Sequence, residues 1–212
     1  YRFESYTAHM KIIYEDGDVW AFDKPAGIVV DDIPRRVHRL DKDTSGILLV
    51  AKNDKALEFF QKQFKERRIK KKYLCLTVGN LKNKEGEIKT LLGRSPKDRR
   101  KQKVFFPQEP KASGKREAIT KYRVLERFKN YDLIEVEPLT GRKHQIRAHF
   151  ASLGHPVAGD KLYGFKNQPC PKGLERQFLH ANYLKTQLPN GEKREFESEL
   201  PDDLRRVLKN LT

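Results

Sequence analysis

The sequence predicts an α+β protein built on a mixed, mainly antiparallel sheet with flanking helices. Three observations predict it. Strand-patterned runs outnumber helical ones. Several neighbouring runs are separated only by short turns, as hairpins require. No regular alternation of strand and long helix points to a doubly wound parallel sheet. The 212 residues suffice for one large domain or two small subdomains with a true core. We read residues 1–212 as a single domain.

The elements follow in order. IIYE and VWAFDK, within residues 11–28, read as two short strands turned at Asp16-Gly17-Asp18. Residues 46–52, GILLVAK, form a continuous apolar run bounded by glycine and charge, which predicts a buried strand. Asn53 or Asp54 caps a helix expected to reach Arg68, with Leu57, Phe60 and Phe64 at helical spacing. Residues 71–79 return to strand pattern, and 118–128 with 131–138 predict a hairpin joined near Lys129-Asn130. Thr140 is expected to cap a helix from Gly141 to Leu153, stopped by Gly154 and Pro156. Ile146, Phe150 and Leu153 would share its apolar face, with His144 and Arg147 beside it. Residues 178–186 and 194–200 read as late strands, and Pro201 opens a short final helix.

Composition bounds the partners. Forty-five Lys and Arg face 29 Asp and Glu, a formal charge of +16. A solvated, Lys-rich surface would carry Glu in closer balance. A polyanion is the simpler partner, because each neutralised phosphate releases condensed counterions. Two clusters concentrate the charge. Residues 62–72 hold seven basic side chains and one acid; residues 94–103 hold six and one. The first also reads as a helix end complementing its dipole. The second lies in a Gly/Pro/polar stretch and reads as a loop that grips phosphate through Arg99, Arg100 and Lys101.

Other classes are excluded. Cys75 and Cys170 form no CxxC pair, and the six histidines show no HExxH spacing, so no metal is expected. No phosphate loop or dinucleotide fingerprint is present, so no cofactor is expected. No apolar run approaches bilayer length, so no membrane partner is expected. A reducing cytoplasm and a monomer fit best.

Two segments carry candidate chemistry. In 37–52, VHRLDKDTSGILLVAK, a polar loop with Asp41 and Asp43 runs straight into the buried strand. Such strand ends commonly hold catalytic groups. Asp and Thr-Ser-Gly are also ordinary turn residues, and two neighbouring carboxylates also suit a glycosidase. In 139–164, a basic helix leads into a run dense in glycine, histidine and proline, which suggests a shaped pocket wall. A non-catalytic RNA-binding factor would share the charge but has no need of a carboxylate facing phosphate.

Together these segments resemble the RluA-type pseudouridine synthases, which modify ribosomal and transfer RNA. The matching residues are Asp23-Lys-Pro-Ala-Gly27, His38-Arg-Leu-Asp41, Thr44-Ser45-Gly46 and Lys72-Tyr73. The match continues through Thr140-Gly-Arg-Lys-His-Gln-Ile-Arg147, Gly154-His-Pro, Gly159-Asp160 and Phe178-Leu-His-Ala181. These stand in family order over nearly the whole chain. The resemblance implies the pseudouridine synthase fold, with an active-site cleft across the sheet. It also implies Asp41 as the essential aspartate, Arg147 as its guanidinium partner and Tyr73 as a tyrosine stacked on the base. It implies Arg39 as an arginine entering the RNA stack when the target base leaves, and Leu179 as a pocket-wall residue. Two departures are visible. Only residues 28–37 separate the KPAG and HRLD segments, where family members carry a longer connection. A small helical RNA-binding domain, common before the catalytic domain in relatives, is not in the sequence.

Overall fold

A computed structural model describes residues 9–109 and 111–211. Along the chain come β1 (Lys11–Glu15), β2 (Val19–Lys24), β3 (Ser45–Ala51), α1 (Asp54–Lys65), β4 (Lys70–Val78), β5 (Glu85–Arg94) and β6 (Gln102–Phe105). They are followed by β7 (Arg116–Arg127), β8 (Tyr131–Pro138), α2 (Gln145–Ser152), β9 (Leu179–Gln187), β10 (Lys193–Glu197) and α3 (Asp202–Lys209). The class is α+β, as expected. Two compact units divide the chain. The first runs to Lys72 and includes His180–Pro201; the second comprises Tyr73–Leu179 and the chain from Asp202 onward.

In the first unit, β1 and β2 form the expected hairpin. Asp16 makes its turn, accepting the amides of Asp18 at 2.7 Å and Val19 at 2.8 Å on one carboxylate oxygen. β2 pairs antiparallel with β3, and every residue of β3 is buried, as its unbroken apolar run requires. The mixed character comes from β3 and β9, which pair in parallel at Ser45–His180 and Gly46–Ala181. β10 returns antiparallel on β9. The Asn53 side chain caps α1, accepting Ala56 N at 2.8 Å. The helix ends at Lys65, short of Arg68, because Arg67 adopts a left-handed φ of 58°. Phe60 is fully buried in a core with Val19, Ile47, Leu49, Leu184 and Phe196.

The second unit is antiparallel throughout, in the order β4-β8-β7-β5-β6. The β7–β8 hairpin was expected, but β5 and β6 were not. In β5, EGEIKTLLGR, only Ile88, Thr90 and Leu92 are buried, so a polar threonine interrupts the apolar alternation. The helix expected from Gly141 starts only at Gln145, and Thr140 is not its cap. The Thr140 hydroxyl accepts Ile119 N at 3.0 Å and donates to Gln145 Oε1 at 2.7 Å, so it ties α2 to β7. Ile146 and Phe150 are buried as expected; Leu153 is 45 % exposed, because the helix has already ended there. Cys75, Ile134, Val136, Ile146, Phe150, Val157 and Leu179 share one core cluster. After Pro201, α3 buries Leu204 and Val207, and Arg176 grips Asp203 at 2.7 Å.

Candidate active site

Asp41 lies half-buried on the loop that enters β3. Main-chain groups organise this loop around one ammonium. The fully buried Lys24 Nζ donates to the carbonyls of Pro25 at 2.8 Å, Lys42 at 3.0 Å and Ile28 at 3.2 Å. Three acceptors match the three donors of an ammonium, as burial of the charge demands. Gly27 N also donates to Lys42 O at 2.9 Å, and Thr44 N to Asp41 O at 3.0 Å. The KPAG and HRLD segments are thus knitted into one turn system. Gly46 follows with φ 112°, and a Cβ there would meet Ala181 O at 2.2 Å, so no other residue fits. Behind the loop, Ser45 Oγ lies 3.0 Å from His180 Nδ1, and His180 Nε2 lies 3.0 Å from Ser198 O. A carbonyl only accepts, so Nε2 carries the proton and Nδ1 receives the serine hydroxyl.

The flanking motif residues have different tasks. His38 Nε2 accepts Leu49 N at 3.1 Å, and its ring stacks on Phe64 at 5.1 Å. Burial, and then the neighbouring Lys71 ammonium, push its pKa down to about 3. Arg39 is exposed, with its guanidinium 3.5 Å from Asp31.

In the second unit, Arg147 is 7 % exposed on α2. Its Nε and one terminal nitrogen grip Asp160 at 2.7 and 2.9 Å, a bidentate fork. The Asp160 carboxylate also accepts the amides of Leu162 at 2.9 Å and Tyr163 at 3.0 Å. Burial pushes its pKa up, but Arg147 and these two amides outweigh that and hold it below the ordinary carboxylate range. The turn before it depends on Gly159, whose φ is 73° and whose Cβ would meet Arg176 O at 2.2 Å. Tyr73, in β4 opposite Val136, packs half-buried against the apolar cluster that contains Leu179, Ile146 and Phe150. Tyr73 and Leu179 therefore share one surface with the helix that carries Arg147. Cys75 lies in the same cluster, and burial pushes its thiol far up, which makes it unreactive.

The basic clusters separate. Arg99, Arg100 and Lys101 sit on the connection between β5 and β6. Asp98 braces it, accepting Arg100 N at 3.0 Å and pairing with the Arg100 guanidinium at 2.9 Å. The Arg100 hydrogen bonds hold the Asp98 carboxyl down at about 2. The 62–72 cluster is no single face. Lys62 and Lys65 close α1, whereas Lys71 turns inward over Phe64, and burial lowers its pKa to about 8.

Sequence reasoning assigned no role to Lys24, Asp160, Tyr163 or His180, although all four lie in or beside the motifs quoted. One signal was available for Asp160: it is the single acid in the 153–166 stretch that follows the arginine-bearing helix. Among the described residues, no group of three or more His, Cys, Asp or Glu side chains is arranged to hold a metal ion. No described helix is long and apolar enough to cross a membrane.

Residues 18–152 match the family model described as RNA pseudouridylate synthase. An uncharacterized RNA pseudouridine synthase of Aquifex aeolicus is 38 % identical over 93 % of this chain and 72 % of its own length. Ribosomal large subunit pseudouridine synthase D of Nitrosomonas europaea is 38 % identical over 94 % of this chain and 64 % of its own. Among solved structures, human RNA Pseudouridylate Synthase Domain Containing 1 superposes with a TM-score of 0.81 at 29 % identity, covering 94 % of this chain and 87 % of that one. The Aquifex alignment runs over 233 residues, longer than the 212 present here, so that relative carries residues without a counterpart in this chain. With a family model spanning more than half the sequence and relatives this similar, the chain belongs to the RNA pseudouridylate synthase family.

Proposed function

We propose that this chain isomerises uridine to pseudouridine in structured RNA, with ribosomal large-subunit RNA as the first substrate class to test and transfer RNA as the second. The carrying observation is the half-buried Asp41 carboxylate on a loop locked by Lys24, within a matched family segment. The reaction breaks the bond between uracil N1 and the ribose, rotates the base and joins C5 to the same ribose carbon. The C5 proton leaves and a proton returns to N1, so the change is an isomerisation with no net redox step. Asp41 acts as the carboxylate, through attack on uracil C6, attack on the ribose carbon, or a glycal route. The family resemblance gives Arg147 as the guanidinium partner of the catalytic aspartate, Tyr73 as the ring stacked on the base and Leu179 as a pocket-wall residue. The target base leaves its helix at a cost of a few kcal/mol in a duplex and less in a loop. Arg39 stacks in the gap, and Arg99, Arg100 and Lys101 hold phosphates.

In this reading the protein acts as a monomer in the cytoplasm and uses no cofactor or metal. The test is release of tritium from C5-labelled, prefolded ribosomal and transfer RNA by the purified chain. The expected result is stoichiometric release that survives EDTA and dialysis. Absence of release from every RNA, or activity that only an added metal restores while RNA structure is unchanged, would overturn it.

A further inference from the structure

Tyr163 has no part in the proposed chemistry, yet five residues of the second unit converge on it. Its hydroxyl receives the Gln102 amide at 2.6 Å, at the root of the β5–β6 connection. It lies 3.0 Å from His144 Nδ1. Because the Gln102 N–H can only donate, the phenol proton is left for His144. The ring lies under the Arg147 guanidinium at 5.2 Å, and Lys101 approaches it at 6.0 Å. Its own amide donates to Asp160, which holds Arg147.

His144 needs such a partner. It begins α2 with a left-handed φ of 53° and makes no side-chain cap. A non-glycine residue there is held against strain of order 1 kcal/mol or more, so the surroundings must enforce it. The tyrosine hydroxyl supplies that restraint, with the rings edge to face at 5.6 Å. Tyr163 thus joins the loop that carries Arg99, Arg100 and Lys101 to the strained entry of the helix that carries Arg147.

We infer that Tyr163 is a positioning residue that couples RNA contact at the β5–β6 loop to the placement of the Arg147 guanidinium. The inference rests on the proposed RNA-modifying role of Arg147 and of that loop. The hydroxyl sets loop and helix entry, and the ring backs the guanidinium that Asp160 grips.

The test is single-turnover rate at saturating RNA, with RNA affinity measured separately. The variants are Tyr163→Phe, Tyr163→Leu and the Arg99/Arg100/Lys101→Ala triple variant, with each tyrosine change also combined with the triple. Phe keeps the ring and removes only the hydrogen bonds, so the fold should survive; circular dichroism and thermal melting verify this. Losing them should lower the single-turnover rate roughly five- to tenfold. Leu should lower it further, because the ring under Arg147 is also removed. The triple variant should cost less in rate on the Phe background than on wild type. A Phe variant within twofold of wild type, or penalties that simply multiply, would overturn the coupling. Either result would leave the proposed function standing, because wild-type tritium release tests that reading separately.

Discussion

The Asp41 loop and the Arg147 helix entry are held by opposite means. Around Asp41, one buried ammonium gathers three main-chain carbonyls, and Gly46 lies against the Ala181 carbonyl. Around Arg147, the restraints are side chains: the Asp160 fork, the Tyr163 ring and a Thr140–Gln145 bond. A loop built on its own backbone is robust to substitution at its exposed positions but hangs on its one buried lysine. A guanidinium built on side chains is sensitive to each of them.

Breaking the fork is expected to have the largest effect. Asp160→Asn removes the carboxylate charge from a guanidinium that is 7 % exposed. A loss of stability on the order of 3 kcal/mol is expected in denaturant titrations. Turnover should fall roughly a hundredfold or more, because the proposed role of Arg147 as guanidinium partner of the catalytic carboxylate depends on this placement. Near-wild-type stability would show that Arg147 does not depend on this partner.

Removing the ammonium comes next. Lys24→Met leaves the Pro25, Ile28 and Lys42 carbonyls short of a donor. Each such group costs about 1–3 kcal/mol when buried, offset by the desolvation of the lysine itself. The net expectation is about 2 kcal/mol of destabilisation and a turnover defect that exceeds the loss of RNA affinity. Equal losses in both would mean that the loop serves binding alone.

The basic loop should act on affinity. Arg99, Arg100 and Lys101 changed together to Ala should weaken RNA binding. The salt slope should flatten by roughly one unit for each phosphate that the loop no longer neutralises. Arg100 should contribute least, since Asp98 already pairs with it. An unchanged slope would return this loop to ordinary surface.

The smallest expected effect is on acid stability. Burial holds the His149 pKa down at about 4 in the second unit, as His38 is held near 3 in the first. In both cases the folded pKa lies below the unfolded value of about 6.5, so the unfolded chain binds more protons between the two. Stability should therefore fall as pH drops through 6.5 toward 4, and should be insensitive to these groups above about pH 7. His149→Gln should flatten that part of the melting-temperature profile. A profile unchanged by the substitution would mean that other groups set the acid limit.

What was legible in the sequence follows the same contrast. β3 was readable because every residue is buried and 47–51 are all apolar, and the Asp41 loop because its residues are contiguous and match a family segment. β5 was not, because a threonine takes the middle of its three buried positions and charge fills the rest. The start of α2 was misplaced because Thr140 has the chemistry of a cap but spends its hydroxyl on Ile119 and Gln145. Asp160 and Tyr163 could be quoted as motif residues, yet their tasks depend on a chain reversal at Gly159 that no periodicity reveals.

Asp41→Asn, assayed for tritium release from C5-labelled RNA and for RNA affinity in parallel, tests the central claim most directly. The substitution keeps the size and hydrogen-bonding outline of the side chain and removes its charge. The account predicts no detectable release with RNA affinity held within about tenfold of wild type, about 1.4 kcal/mol of binding energy. Substantial turnover by the Asn variant would contradict it.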